Sequence, residues 1–287
     1  ERVYYGGTVC GDAVRFPELS ASPTPQAVAA RVVWVRAELP YRRSGLLVFR
    51  KTQPPRVGWE AQVLMKKIFP LSYSRLSTFE QCPAKFDYLH VTKSVRDEGS
   101  EHSLYGDRVH KALEEYGKTK AAPAGAEKEV ARFLPLVDTI LKQNGDKLFE
   151  YQMAIRRDKS PCGWFDNDVW LRSIADVLVI DDPTAFVFDW KTGKVRENPT
   201  QLKLFAAMVM SHLPVNTVKT CYVWLQYEQV TMDTYHRADL PAIWSSLEPR
   251  LDYVQDTIEH GVFKTKPSGL CPWCPAKGIC PDARLKR

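Results

Sequence analysis

At 287 residues, 44% of them apolar and 11% aromatic, the chain is long and apolar enough to bury a core, which excludes an intrinsically disordered protein. No apolar run approaches the 18 or so residues of a membrane helix and no basic segment leads into an apolar block at the start, so neither a membrane span nor a secretion signal is expected. The net charge of +6 permits a polyanionic partner without demanding one.

The first 64 residues differ in texture from the rest. Pro/Ser-rich stretches (SASPTPQ, TQPPRVG) flank one alternating apolar segment, ARVVWVRAEL, that suits a strand. MKKIFPLSYSRL then follows from Met65 with the look of a bacterial or phage gene start. Residues 1–64 are therefore read as an N-terminal extension of unknown role and 65–287 as the main domain; an ordinary small β-rich lobe is the plainer alternative for the extension.

From Ser72 the periodicity sharpens. SRLSTFEQCPAKFDYLHV predicts a helical segment that Pro83 bends or restarts, YGDRVHKALEEYGK a second helix, and EKEVARFLPLVDTILKQ a third with Val130, Phe133, Leu134, Val137 and Leu141 on one apolar face. Short strand-like runs follow in FEYQMAI, DVWLRSIADVLVI and AFVFDW. After them come a helix around QLKLFAAMVMSHL, two strands in KTCYVWLQ and EQVTMDTY, and a long helix through AIWSSLEPRLDYVQDTIEHG. This order predicts an α/β domain with a central mixed sheet flanked by helices.

Chemistry concentrates in SIADVLVIDDPTAFVFDWKTGK. Strand alternation sends Asp189 and Lys191 to one face and Trp190 to the other, and a hairpin through DDPT can set Asp176 beside them. Two carboxylates and an ammonium on one sheet face suit a hard divalent cation, Mg²⁺ or Mn²⁺, that polarises a phosphodiester and activates water. A surface hairpin with a D-x-K ion pair explains the same letters more plainly. Upstream, Gly106 permits a close backbone approach and His110 opens a helix turn that can face the sheet. Downstream, Gln201 begins the helix one short loop after Lys191. Taken singly, such a histidine is usually packed or solvated and such a glutamine merely opens a helix.

Near the end, CPWCPAKGIC brings Cys271, Cys274 and Cys280 into ten residues, with two prolines and a glycine that suit a tight loop. The chain has seven cysteines, and Cys10, Cys162 and Cys221 stand alone. An odd, uneven set points to a reducing, cytoplasmic compartment and to metal ligation in preference to disulfides. Three thiolates leave a tetrahedral site one ligand short.

G-x₃-H, then Asp, then D-W-K-T-G-K, then Q-L-x-x-aromatic, in that order over residues 71–283, resembles the RecB-type nuclease branch of the PD-(D/E)XK superfamily, with its restriction-endonuclease-like core. The resemblance implies a metal shell of His110, Asp176, Asp189 and the carbonyl of Trp190, with Lys191 as catalytic lysine and Gln201 beside it. Two departures stand out: Phe205 replaces a usual tyrosine and so lacks its hydroxyl, and Asp176 lies in S-I-A-D-V where G-x-x-D-R is common. Glu150 occupies a position that is acidic in many relatives. Members with an iron–sulfur cluster use one cysteine early and three late, which implies Cys82, Cys271, Cys274 and Cys280 as the ligands of a [4Fe–4S] cluster. Such a cluster would staple the two ends of the domain. Zinc in a Cys₄ site is the chemical alternative.

The expected activity is a Mn²⁺/Mg²⁺-dependent DNA exonuclease acting on ends or single strands in recombination, repair or phage DNA processing. Arg75, Lys85, Arg108 and Lys194 are candidates for a groove that tracks the backbone. The rival is a DNA-end binding module with a structural cluster, serving a helicase–nuclease or integration complex. The sequence has no Walker motif, so any helicase motor would belong to a partner.

Overall fold

Six strands form one sheet in the computed structural model, which describes residues 3–6, 68–121, 130–196 and 198–284. They are β1 (Val3–Gly6), β2 (Asp146–Ile155), β3 (Leu171–Asp181), β4 (Thr184–Lys191), β5 (Thr217–Trp224) and β6 (Gln229–His236), in the spatial order β1-β6-β5-β4-β3-β2. β4 and β5 run parallel and every other neighbouring pair is antiparallel. The helices are α1 (Tyr73–Gln81), α2 (Pro83–Phe86), α3 (Glu101–Thr119), α4 (Leu134–Leu141), α5 (Pro199–His212) and α6 (Leu240–His260). The mixed sheet flanked by helices expected from the sequence is the one observed. By its contacts the chain divides into Glu1–Asp12 with Lys67–Arg287, and Ala13–Lys66. The second unit, the expected strand in ARVVWVRAEL and the start at Met65 lie outside the described residues. Within the segment read as an extension, Val3–Gly6 is described, and it pairs with Gln229–Met232 at the sheet edge.

Parallel neighbours cannot be joined by a tight turn, so β4 and β5 need a crossover, and α5 supplies it. Asn198 caps α5 by accepting from the Thr200 N–H at 3.1 Å, and Pro199 occupies the first turn, where a missing N–H costs nothing. Leu202 and every residue from Leu204 to Met210 are buried, because α5 lies between the sheet and α6. Leu178, Ala185, Val187 and Val218 of the sheet pack there against α5 and against Ile243, Trp244, Leu247, Leu251 and Val254 of α6. Phe186, Phe188 and Trp190 alternate to the opposite face and are also buried, with the Phe186 and Phe188 rings stacked 6.3 Å apart.

The predicted helical segment over 74–91 is broken at Cys82. A residue before proline is driven to extended backbone, and Cys82 sits there at φ −164° and ψ 110°. The break turns the Cys82 thiol towards the C-terminal segment, where the Lys266 N–H donates to its Sγ at 3.4 Å and the Ala84 N–H donates to the Lys264 carbonyl at 3.1 Å. The predicted helix over 127–143 starts outside the described residues; its described part is a 3₁₀ turn, Ala131–Phe133, followed by α4. Pro135 lies in the first turn of α4, the place proline tolerates, so the helix restarts there. Leu136 and Ile140 are buried with Val137 and Leu141, whereas Leu134, expected on the apolar face, is half-buried. Gly117 lets α3 settle on β2: a Cβ there would stand 2.1 Å from the Phe149 ring. Among the described residues no helix is long and apolar enough to cross a membrane.

Candidate active site

The β3–β4 ladder ends at the pair Val177–Phe188, so Asp176 and Asp189 come next on their strands with no backbone pairing between them. The freed N–H of Trp190 donates instead to Asp176 Oδ2 at 2.7 Å. A side chain thus completes the hydrogen bond that the strand gives up. The neighbouring ladder is interrupted at the same level. Glu150 falls between the pairs Phe149–Val177 and Tyr151–Ala175, opposite Asp176, with φ at +50°. Alternation skips a step there: Leu148 and then Tyr151, Met153 and Ile155 of β2 all pack on the same core. A left-handed glutamate inside a strand is backbone strain of the kind that gathers at functional sites.

From α3, His110 places Nδ1 at 3.1 Å from Asp176 Oδ1. Gly106, one turn earlier, allows this approach, since a Cβ there would stand 3.1 Å from Thr192 Oγ1 in the loop after β4. On the α5 side of the sheet the Lys191 ammonium lies against Asp189 Oδ2 and donates to Gln201 Oε1 at 3.1 Å. Gln201 Nε2 donates in turn to Asp189 Oδ1 at 2.9 Å, which closes a ring of three side chains. Asp189 Oδ2 is buried yet makes no directed hydrogen bond, despite its ion pair with Lys191.

Burying this much charge shifts its protonation. Asp189, 5% exposed, has its carboxyl pushed up to about 6, first by loss of solvent and then by the Asp176 charge, with Lys191 and His110 opposing. Burial pulls His110 towards the neutral form, but its hydrogen bond to Asp176 and the charges of both aspartates outweigh that and raise it. Glu150 is raised by burial and then by Asp176 and Glu114. Two carboxylates held against their own ionisation, Asp189 and Glu150, with Asp176 beside them and one Asp189 oxygen lacking a hydrogen bond, are a donor set suited to a hard cation. No three His, Cys, Asp or Glu side chains among the described residues converge as the ligands of one metal ion would. His110, Asp176 and Asp189 form part of a hydrogen-bonded network, in which Trp190 takes part through its N–H.

Phe205 is buried, on the helix that carries Gln201, and contributes no hydroxyl. The residue that sequence reasoning missed is Tyr222, paired with Asp189 across the parallel ladder. Its hydroxyl lies 3.2 Å from Gln201 Oε1 and 2.9 Å from the Asn198 carbonyl, and the Lys191 ammonium stands 4.9 Å from its ring centre. The only signal for it was a tyrosine in a strand-like run, on the strand after the crossover helix. The four basic groove candidates have different surroundings. Arg75 lines a cleft at Gln201, Lys85 lines a cavity among the cysteines, Lys194 is exposed in the loop after β4, and Arg108 lies against the Tyr105 ring.

Cys82, Cys271, Cys274 and Cys280 all line one cavity of about 270 Å³ between α1, α2 and the C-terminal turns. The Ser268 N–H donates to Cys271 Sγ at 3.2 Å, a second backbone donor aimed at a cysteine sulfur of this cavity, beside the one on Cys82. All six described cysteines are free.

A sequence model described as the PD-(D/E)XK nuclease superfamily matches residues 70–281. No curated protein matches the chain. One solved structure, titled "Crystal structure of SSO0001", is similar at 13% identity with a TM-score of 0.37, covering 75% of this chain and 86% of that one. A likeness that loose carries no weight for the chemistry.

Proposed function

The chain belongs to the PD-(D/E)XK nuclease superfamily, and on that premise we propose that it is a Mn²⁺/Mg²⁺-dependent deoxyribonuclease whose active site is the His110–Asp176–Asp189–Lys191–Gln201 network. The observation that carries this reading is the buried pair Asp176 and Asp189, with Asp189 Oδ2 left without a hydrogen bond beside the Lys191 ammonium. Asp176, Asp189, the Trp190 carbonyl and His110 in its neutral form would hold the cation, with Glu150 close by. The ion supplies Lewis-acid polarisation of the phosphodiester and a lowered pKa for the attacking water.

The chain's own groups do the rest. The Trp190 N–H fixes one oxygen of Asp176, so that carboxylate is oriented before any ligand arrives. Gln201 spans Asp189 and Lys191 and keeps the ammonium on the face where the carboxylates lie. From there Lys191 stabilises the negative charge that builds on the phosphoryl oxygens as water attacks phosphorus and a P–O bond breaks. Tyr222 holds the amide of Gln201 from behind, the support that Phe205 cannot give.

The order of the motifs supports an exonuclease of DNA ends or single strands that works beside a helicase or recombination partner. The shared cavity and the two backbone donors support a structural [4Fe–4S] cluster on Cys82, Cys271, Cys274 and Cys280. Zinc on the same four cysteines is the chemical alternative. Anaerobically purified protein, given Mn²⁺ or Mg²⁺, should shorten linear end-labelled DNA and leave circular single strands intact. Binding of DNA ends without cleavage under any divalent ion would favour the end-binding module instead.

A further inference from the structure

A cleft of about 420 Å³ opens beside Gln201 and is lined by Tyr73, Arg75, Trp164 and Arg172. Its two arginines come from separate elements. Arg75 sits in the first turn of α1 and Arg172 at the start of β3, and the Leu71 backbone ties them by accepting from the Arg172 N–H at 2.8 Å and donating to Trp170 at 2.9 Å. Three other arginines have acids: Arg156 has Asp166 and Asp168, Arg157 has Asp252, and Arg250 has Glu80, while Arg237 is satisfied by the carbonyls of Met210, Leu213 and Val215. Among the described residues neither Arg75 nor Arg172 has a carboxylate partner. The Arg75 guanidinium donates to the Pro70 carbonyl and lies over the Phe69 ring, while Arg172 Nε is buried with no hydrogen-bond acceptor among the described residues. Burial and then the nearby Arg172 charge lower the Arg75 pKa, so the two cations feel each other. Two guanidinium groups kept together without an acid, one with an orphaned buried donor, leave a place for an anion. The Arg172 guanidinium also stands 5.1 Å from the centre of the Trp164 ring, and Phe165 beside it is 86% exposed.

We propose that this cleft is a single-strand track, in which Arg75 and Arg172 share one backbone phosphate of the substrate and the Trp164 indole stacks one of its bases. The assignment rests on the nuclease reading for the identity of the polymer and adds to it the strandedness and the residues that read it. Gln201 joins the track to the Asp189–Lys191 pair, so a phosphate held by the arginines belongs to the strand that reaches the carboxylates. A base can stack on an indole only when it is unpaired, which selects single strands or frayed ends over intact duplex.

The test is fluorescence anisotropy of labelled oligothymidylate and of a blunt duplex, with the full chain in EDTA so that nothing is cut. Arg75→Gln and Arg172→Gln should each weaken single-strand binding roughly tenfold. Because they share one phosphate, the double variant should flatten the salt dependence by about 0.7 in the slope of log K against log salt, the value for one phosphate on a single strand. Arg172→Lys should keep the slope. Trp164→Ala should weaken binding roughly tenfold at unchanged slope, and Trp164→Phe should restore it. Thermal unfolding of each variant separates these effects from misfolding. Unchanged affinity in folded arginine variants, or an equal loss on duplex and single strands, overturns the track and leaves the nuclease reading standing. Loss of binding as expected, in a chain that cuts nothing with Mn²⁺, overturns the nuclease reading and leaves the track as a binding site.

Discussion

Asp189→Asn should stabilise the metal-free protein while ending cleavage. In the folded chain the Asp189 carboxyl is pushed from 3.8 up to about 6, chiefly by burial. A carboxyl whose folded pKa is raised binds its proton more tightly when folded, so it adds stability at low pH and loses it as pH climbs from about 4 through 6. At pH 7.5 that loss is complete and amounts to about 3 kcal/mol. Asparagine keeps the shape, accepts from Gln201 and carries no charge. Lys191 then keeps Gln201 and the Tyr222 ring but loses its ion pair, which returns part of the gain, so a net gain of about 1–3 kcal/mol is expected in EDTA at roughly pH 7.5. The gain should fall to about half by pH 5 as the wild-type carboxyl takes up its proton. Urea unfolding at the two pH values measures it. Saturating Mn²⁺ should raise the stability of the wild type and do little for the variant, since the cation binds the folded state through this carboxylate. An Asp189→Asn protein no more stable than wild type in EDTA at neutral pH would refute the view that the site stores a burial cost for the metal to relieve.

Lys191→Ala should abolish cleavage yet leave calorimetric Mn²⁺ affinity largely intact, a loss of about 3–4 kcal/mol in transition-state stabilisation if the ammonium acts like one oxyanion donor. Tyr222→Phe should lower the cleavage rate by about tenfold, through loss of the hydroxyl shared by Gln201 and the Asn198 carbonyl and the looser amide that results, with unfolding shifted by no more than about 1–2 kcal/mol. Cys82→Ala should remove the iron–sulfur absorbance of anaerobic protein and lower its unfolding temperature. One tightly bound zinc and no sulfide in the wild type would replace the cluster while keeping the staple.

Strands β2 to β6 were legible because their β-branched and aromatic runs are short and bounded by turn signals such as DDPT, whereas β1 (Val3–Gly6) was not foreseen. The break at Cys82 was legible because Pro83 leaves few alternatives. Asp189 and Lys191 sharing a face follows from strand alternation alone. His110 could be placed beside Asp176 only through the order of motifs, since no local pattern joins α3 to β3. Tyr222 was hidden because its pairing with Asp189 depends on the parallel register that α5 sets. Glu150 opposite Asp176 was hidden because a left-handed glutamate within a strand contradicts every local preference. Arg172 and Trp164 looked like ordinary members of a strand and a loop, and their importance comes from what they lack, an acidic partner for the guanidinium.

The most direct measurement of the central claim is the rate of nucleotide release from end-labelled DNA by the full chain with Mn²⁺, beside its Asp176→Asn and Asp189→Asn variants. The account predicts release by the wild type that EDTA abolishes and that neither folded variant supports. Release undiminished in both variants, or none from a folded wild type that binds Mn²⁺, would contradict it.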